Sequence, residues 1–296
     1  MDKEDVQMKL TIFTPTYNRA DKLFRVYDSL KNQTCFNFEW LIIDDGSTDN
    51  TENIVSEFTQ QQLFQVKYIK KNNGGKHRAY NLALKNANGD LFLCLDSDDW
   101  LKNDAVENIL SIADNLNEKQ FIVAYKVNEN GRLLSDTFPD IYSCNLKVLS
   151  QIYNCNGEFS LIFPTKLASM FPFPEFDGER FITEAVVYDR INYVADAVLL
   201  PKTITICEYQ EDGLSNNLNT IMKNNPAGYC LYFMQRIDYE NSFLKRFITA
   251  GKYQCFCIFA KNKKSNYAGN HKILTSIAKP LGLVFNLYYK FIRGFK

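Results

Sequence analysis

The chain has 296 residues, 46% of them apolar and 23% charged, with 34 basic and 34 acidic side chains in balance. That is ample apolar material for one large or two ordinary domains. No apolar run approaches the roughly 20 residues of a membrane span, and the polar residues 1–9, with three acids, read as no signal peptide. Two histidines exclude a His-rich metal site. Eight cysteines without a C-x-x-C pair or zinc spacing read as reduced core thiols of a cytoplasmic protein. The charge is unevenly placed: after Glu240 there are eleven bases and no acid, leaving 23 bases against 34 acids in residues 1–240.

In chain order, residues 9–14 predict a strand that stops at Pro15, and 20–32 a helix with Leu23, Phe24, Tyr27 and Leu30 on one face. Residues 38–43 predict a second strand ending at Asp44-Asp45-Gly46-Ser47, and Asp49 or Thr51 caps a helix through Phe58. Residues 64–69 predict a third strand, 76–86 a helix ending near Asn88-Gly89, and 91–95 a wholly apolar fourth strand. This alternation argues for a parallel sheet with helices on both faces. Further strands are expected over 121–127, 159–163 and 197–206, the last broken by Pro201. A turn is expected at Asn130-Gly131 and a short helix over 183–194, and after Pro226 the chain reads as helical to its end.

The fourth strand runs straight into Asp96-Ser97-Asp98-Asp99. Three carboxylates in four positions repel one another unless a cation sits among them. Open α/β sheets bind ligands just outside the carboxyl ends of their strands. Two readings follow: a hard divalent metal holding a diphosphate, or a solvated turn capping the next helix.

Three other loops fall at the ends of successive strands: Thr14-Pro15-Thr16-Tyr17-Asn18-Arg19, Asp44-Asp45-Gly46-Ser47-Thr48-Asp49 and Asn73-Gly74-Gly75-Lys76-His77-Arg78. With the acidic cluster, and in this order, they resemble the family-2 nucleotide-sugar glycosyltransferases. The resemblance covers roughly residues 9–210, and the motifs are specific jointly rather than singly. It implies an α/β protein of GT-A fold: a Rossmann-like α/β/α sandwich with a mostly parallel central sheet, here followed by a helical C-terminal region. It further implies a GT-A domain over residues 1–240, with a nucleotide-sugar half over about 1–100 and an acceptor half over about 101–240.

Under that resemblance Thr14, Pro15, Thr16, Tyr17 and Arg19 form the floor of the nucleotide pocket, Tyr17 offering a stacking face. Asp45 accepts a hydrogen bond from uracil N3–H, while Asp44 supports the loop. Lys76, beside two glycines at a helix start, meets the diphosphate. Many relatives carry an arginine where this chain has Tyr80, so Arg78 competes with Lys76 for that role. Asp98 coordinates Mn²⁺ or Mg²⁺, with Asp96 at the metal or the ribose, and Asp99 shares either role or caps the following helix. Glu184 is the general base of the acceptor side and Glu179 the runner-up. The usual acid pair is incomplete, because Ala185 follows Glu184. Residues 209–215 resemble a closing loop.

Residues 273–295 mix bulky apolar side chains and tyrosines with bases and no acids. That suits an amphipathic segment lying on an anionic bilayer, or a helix packed on the catalytic domain with its bases facing water. No nucleic-acid motif is present. The activity these features imply is metal-dependent, inverting transfer from a UDP-sugar to a saccharide acceptor, lipid-linked, in bacterial surface polysaccharide biosynthesis. The expected location is cytoplasmic, peripheral on the inner face of the cell membrane. The rivals are transfer to a polyprenyl phosphate and a nucleotide-binding scaffold that has lost catalysis.

Overall fold

The computed structural model describes residues 8–208, 218–261 and 264–295; the expected closing loop at 209–215 lies outside the described residues. The first half alternates as expected: β1 (Leu10–Thr16), α1 (Ala20–Lys31), β2 (Phe38–Asp44), α2 (Thr51–Gln60), β3 (Gln65–Lys70), α3 (Lys76–Leu84) and β4 (Leu91–Cys94). There follow β5 (Asp99–Leu101), α4 (Ala105–Ala113), β6 (Gln120–Asn128), β7 (Ser143–Cys144), α5 (Leu146–Gln151), β8 (Phe159–Pro164) and α6 (Thr165–Ser169). The chain continues through α7 (Ala185–Asn192), β9 (Asp196–Cys207), α8 (Leu218–Asn224), α9 (Pro226–Tyr239), α10 (Phe243–Ala260), α11 (Lys272–Ile277) and α12 (Lys279–Phe291).

Among the described residues nine strands form one sheet in the order β3-β2-β1-β4-β8-β6-β9-β5, with β7 beside β9. The four N-terminal strands pair in parallel. Beyond β4 the sheet turns mixed, since β8 runs antiparallel to both β4 and β6. Strand residues alternate between faces. Leu10, Ile12, Trp40, Ile42, Leu91 and Leu93 pack under α1, α2 and α4, while Phe13 and Phe92 meet Tyr80 of α3 on the opposite face. Each such side chain, fully buried, contributes about 1.5–3 kcal/mol. The result is the expected α/β/α sandwich.

Two local expectations are corrected. The inward face of α1 is Leu23, Val26, Tyr27 and Leu30; Phe24 is exposed and touches the core only edge-on, against Phe58 at 5.3 Å. Pro201 does not break β9. The register against β6 jumps from Leu200 to Thr203, so proline is bulged out where its missing N–H costs no ladder bond.

The chain divides into two compact units, one of residues 1–172 and 190–209, the other of 173–189 and 210–296. The second has its own core, in which Tyr229 and Phe233 of α9 meet Phe256 of α10, and Tyr289 of α12 and Phe295 close on Phe256.

Candidate functional site

The loops after β1, β2, β3 and β4 meet on the carboxyl-end rim of the sheet, in the first unit. Thr16 lies opposite Asp44 in the β1–β2 register, and the Thr16 carbonyl accepts from the Asp45 amide at 2.8 Å. Beyond the strands the pairing passes to side chains. The Ser47 hydroxyl accepts from the Asn18 amide, and the Asn18 carboxamide accepts from the Thr48 amide. Asp49 accepts from Ala20, the first residue of α1, and from both amide and hydroxyl of Thr51, the first residue of α2. One carboxylate thus meets the first amide of two helices, although the N-cap of α2 is Asn50 rather than the expected Asp49 or Thr51. Burial alone would raise the Asp49 carboxyl; these bonds hold it below the usual value.

The carboxylates of the rim are each engaged. Asp44 accepts from the Ser47 amide and from the Tyr68 hydroxyl, at 2.7 and 2.6 Å, the loop-supporting role expected of it. Asp45 is buried. It accepts from the amides of Gly74 and Gly75 at 2.9 and 2.7 Å and is ion-paired with Lys71. It therefore fastens the 72–75 loop to the end of β2. Gly75 has φ of 96°, the left-handed region in which glycine is unstrained, and immediately precedes α3. At the first position of α3, Lys76 reaches Asp96 at 2.8 Å. Arg19 reaches Asp98 at 2.8 Å and lies 3.4 Å from the Ser97 hydroxyl.

Asp99 is not a helix cap. It opens β5, which pairs antiparallel with β9, and α4 begins only at Ala105. Its buried carboxylate lies 3.4 Å from Lys126 of β6 and accepts from the Cys207 thiol of β9 at 3.2 Å. Burial pushes its carboxyl up, to about 6, and Asp96 and Asp98 add to this while Lys126 and Cys207 oppose it. For Lys126, burial alone would lower the ammonium; Asp99, Cys207 and Asp96 outweigh it and raise it. Asp96 is held below the usual carboxylate value, because Lys76, Lys126 and Arg19 outweigh the desolvation that would raise it.

The remaining expected residues divide. Tyr17 is exposed, its ring open to a stacking partner. The Thr14 hydroxyl is turned inward and accepts from the Trp40 indole at 2.9 Å, and the residue is fully buried within β1, so it is not open to the ligand contact expected of it. Thr16 Oγ1 is buried with no hydrogen-bond partner among the described residues. Lys71, Lys126 and Cys207 were missed by sequence reading. Lys71 is one residue beyond β3, and the other two are brought to the cluster by strand pairing alone.

Asp96 and Asp98 offer hard carboxylate oxygens, the donor chemistry of Mg²⁺ and Mn²⁺. Among the described residues no three His, Cys, Asp or Glu side chains are gathered into a ready-made metal cage. A cavity of about 530 Å³ elsewhere, lined among others by Arg25, Trp100, Lys102 and Asp104, includes none of the rim acids Asp45, Asp96, Asp98 and Asp99.

In the second unit, Glu179 is buried and accepts from the amides of Ala227 and Gly228 at 2.7 and 2.8 Å. It caps the N-terminus of α9, whose proline at the first position leaves the next amides to be satisfied. Glu184 is half-buried, and its carbonyl accepts the first bonds of α7 from Val187 and Tyr188. Arg190 packs over the Phe171 ring in the first unit.

A Rossmann-like sheet with acids, glycines and bases on its carboxyl-end rim is the architecture of the GT-A enzymes. The chain belongs to glycosyl transferase family 2, whose model matches residues 11–173. It is 34% identical over 142 residues to an uncharacterized glycosyltransferase of Rickettsia felis, covering 47% of this chain and 23% of the relative. Over 176 residues it is 27% identical to the poly(ribitol-phosphate) beta-N-acetylglucosaminyltransferase TarS of Staphylococcus aureus, covering 55% and 30%. The chain thus spans about a quarter to a third of the length of these curated relatives. Among solved structures, S. aureus TarS 1-349 in complex with UDP-GlcNAc aligns with TM-score 0.61 and 20% identity over 85% of this chain and 73% of that one. The mannosyltransferase PcManGT of Pyrobaculum calidifontis, in complex with GDP-Man and Mn²⁺, aligns with TM-score 0.56 and 16% identity over 96% and 82%. At these identities the structural likeness concerns the fold.

Proposed function

We propose that the chain is a metal-dependent, inverting glycosyltransferase that moves a sugar from a UDP-sugar to a hydroxyl of a lipid-linked saccharide in bacterial surface polysaccharide assembly. The observation that carries the donor reading is the convergence of Asp45, Asp96, Asp98, Arg19 and Lys76 on one rim. UDP and UDP-GlcNAc in the solved TarS complexes, and the polymer-modifying activities in the relatives' names, support the nucleotide and the setting.

In this reading Tyr17 stacks on the base, and the unpartnered hydroxyl of Thr16 and the acceptor position left on Asp45 Oδ2 bind the nucleoside. Lys76, at the N-terminus of α3, neutralises diphosphate oxygens together with the helix dipole. Asp98, with Asp96, holds the divalent ion, which when bound supplies Lewis-acid stabilisation of the departing diphosphate. Glu184 accepts the proton of the acceptor hydroxyl as that oxygen attacks the sugar anomeric carbon. The choice over Glu179 is supported by the commitment of Glu179 to two amides of α9. A single displacement needs no nucleophilic serine or cysteine.

A panel of nucleotide sugars with Mn²⁺, read by thermal shift, tests the donor: one UDP-sugar should raise Tm by mass action while GDP-sugars do not. Stabilisation by a GDP-sugar instead would overturn the nucleotide assignment. Glu184→Gln should keep UDP binding and lower transfer by about 10²–10⁴-fold. Full transfer in that variant would reject the base and point to an acceptor already ionised, such as a polyprenyl phosphate.

A further inference from the structure

Helix α12 has two apolar faces. On the inner one Gly282 lies so close to α10 that a Cβ there would stand 2.5 Å from the Gln254 Cβ, and the partly buried Phe285 and Tyr289 pack against the core of the second unit. On the outer one Leu283, Val284, Leu287, Tyr288, Phe291 and Ile292 recur at helical spacing and are all exposed, Phe291 by 80%. Helix α11 continues the exposure with Ile273 at 77% and Ile277 at 62%. A helix packed against its own domain ordinarily turns polar residues to water. Here the outward stripe is apolar, and bases flank it: Lys272, Lys279, Lys290 and Arg293 are exposed. No acid occurs anywhere after Glu240.

We propose that the outer face of α11 and α12 docks on an anionic lipid bilayer. Contiguous exposed apolar side chains mark an interaction surface, and the one-sided charge selects the occupant. A second copy of the chain meeting this face would bring like charges together, whereas anionic headgroups complement them. Interfacial helices bury such a stripe at the headgroup boundary while lysine and arginine snorkel to the phosphates. Among the described residues no helix is long and apolar enough to cross a membrane, so the attachment is to the surface. The inference is independent of the donor-site assignment.

The test is co-sedimentation of the full chain with vesicles of phosphatidylcholine alone and of phosphatidylcholine with phosphatidylglycerol. Binding is expected to the anionic vesicles only and to fall with salt. The double variant Leu287→Glu, Phe291→Glu should lose at least ten-fold in lipid affinity with unchanged circular dichroism. Lys279→Gln with Arg293→Gln should lose on the order of five-fold per base. Recovery of the full chain in the supernatant at every lipid composition would overturn the proposal. So would equal binding to neutral vesicles, or a lipid-free dimer on sedimentation velocity that the glutamate variant dissociates.

Discussion

Glu39, at the amino end of the parallel strands, and the acids of 96–99, at the carboxyl end, are satisfied in opposite ways. At the amino end Glu39 of β2 is fully buried. It accepts from the Thr11 hydroxyl, the Asn88 amide and the Asn88 carboxamide at 2.7, 2.6 and 2.8 Å. Close by, the Thr11 hydroxyl also accepts from the Gly89 amide, and a Cβ at Gly89 would stand 2.5 Å from the Thr11 nitrogen. These donors are neutral: a hydroxyl, a carboxamide and one backbone amide. At the carboxyl end Asp96, Asp98 and Asp99 are met by Lys76, Arg19 and Lys126, long cations from other elements. The first arrangement locks the turn before β4. The second balances charge with partners that can be exchanged for a ligand's, which is what a binding rim requires and a structural joint does not.

The contrast predicts function without stability at one end and stability without function at the other. The largest effect is expected from Asp98→Ala, which should abolish metal-stimulated UDP-sugar turnover, a loss beyond about 10²-fold, while shifting Tm little. A fall in Tm comparable to that of a core mutant would break the comparison. Next comes Glu39→Ala. It strands buried donors and should cost about 1–3 kcal/mol in urea unfolding, with donor affinity unchanged.

Glu39→Gln sharpens the same point through pH. Burial alone would raise the Glu39 carboxyl, but the bonds from Asn88 and Thr11 and the charge of Lys9 hold it below its usual value. A depressed carboxyl contributes stability above its unfolded value, and this is lost as pH falls through the folded one. The stability gap between the native chain and Glu39→Gln should therefore narrow below about pH 4.5. A gap independent of pH would remove the ionised carboxylate from the account. The smallest effect is expected at Arg19. Its pair with Asp98 is partly exposed and worth about 0–1 kcal/mol, so Arg19→Gln should tighten Mn²⁺ alone by no more than about five-fold in calorimetry. Weaker Mn²⁺ binding would mean that Arg19 positions Asp98 rather than competing for it.

The amino acids spelled out the first four strands because each is a continuous or alternating apolar run, and β1, β2 and β4 are bounded by Pro, Gly or Asp. They also displayed the rim acids, since topology alone sends strand ends to one edge. What was hidden depends on register. Strand β5 is three residues long and begins with an acid, so nothing local marks it; its partner β9 lies a hundred residues on. Lys126 sits in an apolar stretch where its charge reads as an outward residue, and only the β6–β9 pairing turns it toward Asp99. Phe24 misled for the converse reason: one helical step from the buried face, it keeps the period but not the burial.

Asp49 ties the first turn of α1 to that of α2, and Asn18 ties the same two loops a second time. Neither loop can stiffen alone. A donor that touches only the β1 loop should therefore slow amide exchange in α2, in residues it never meets, and the breadth of that protection would report how far the pocket responds as one piece.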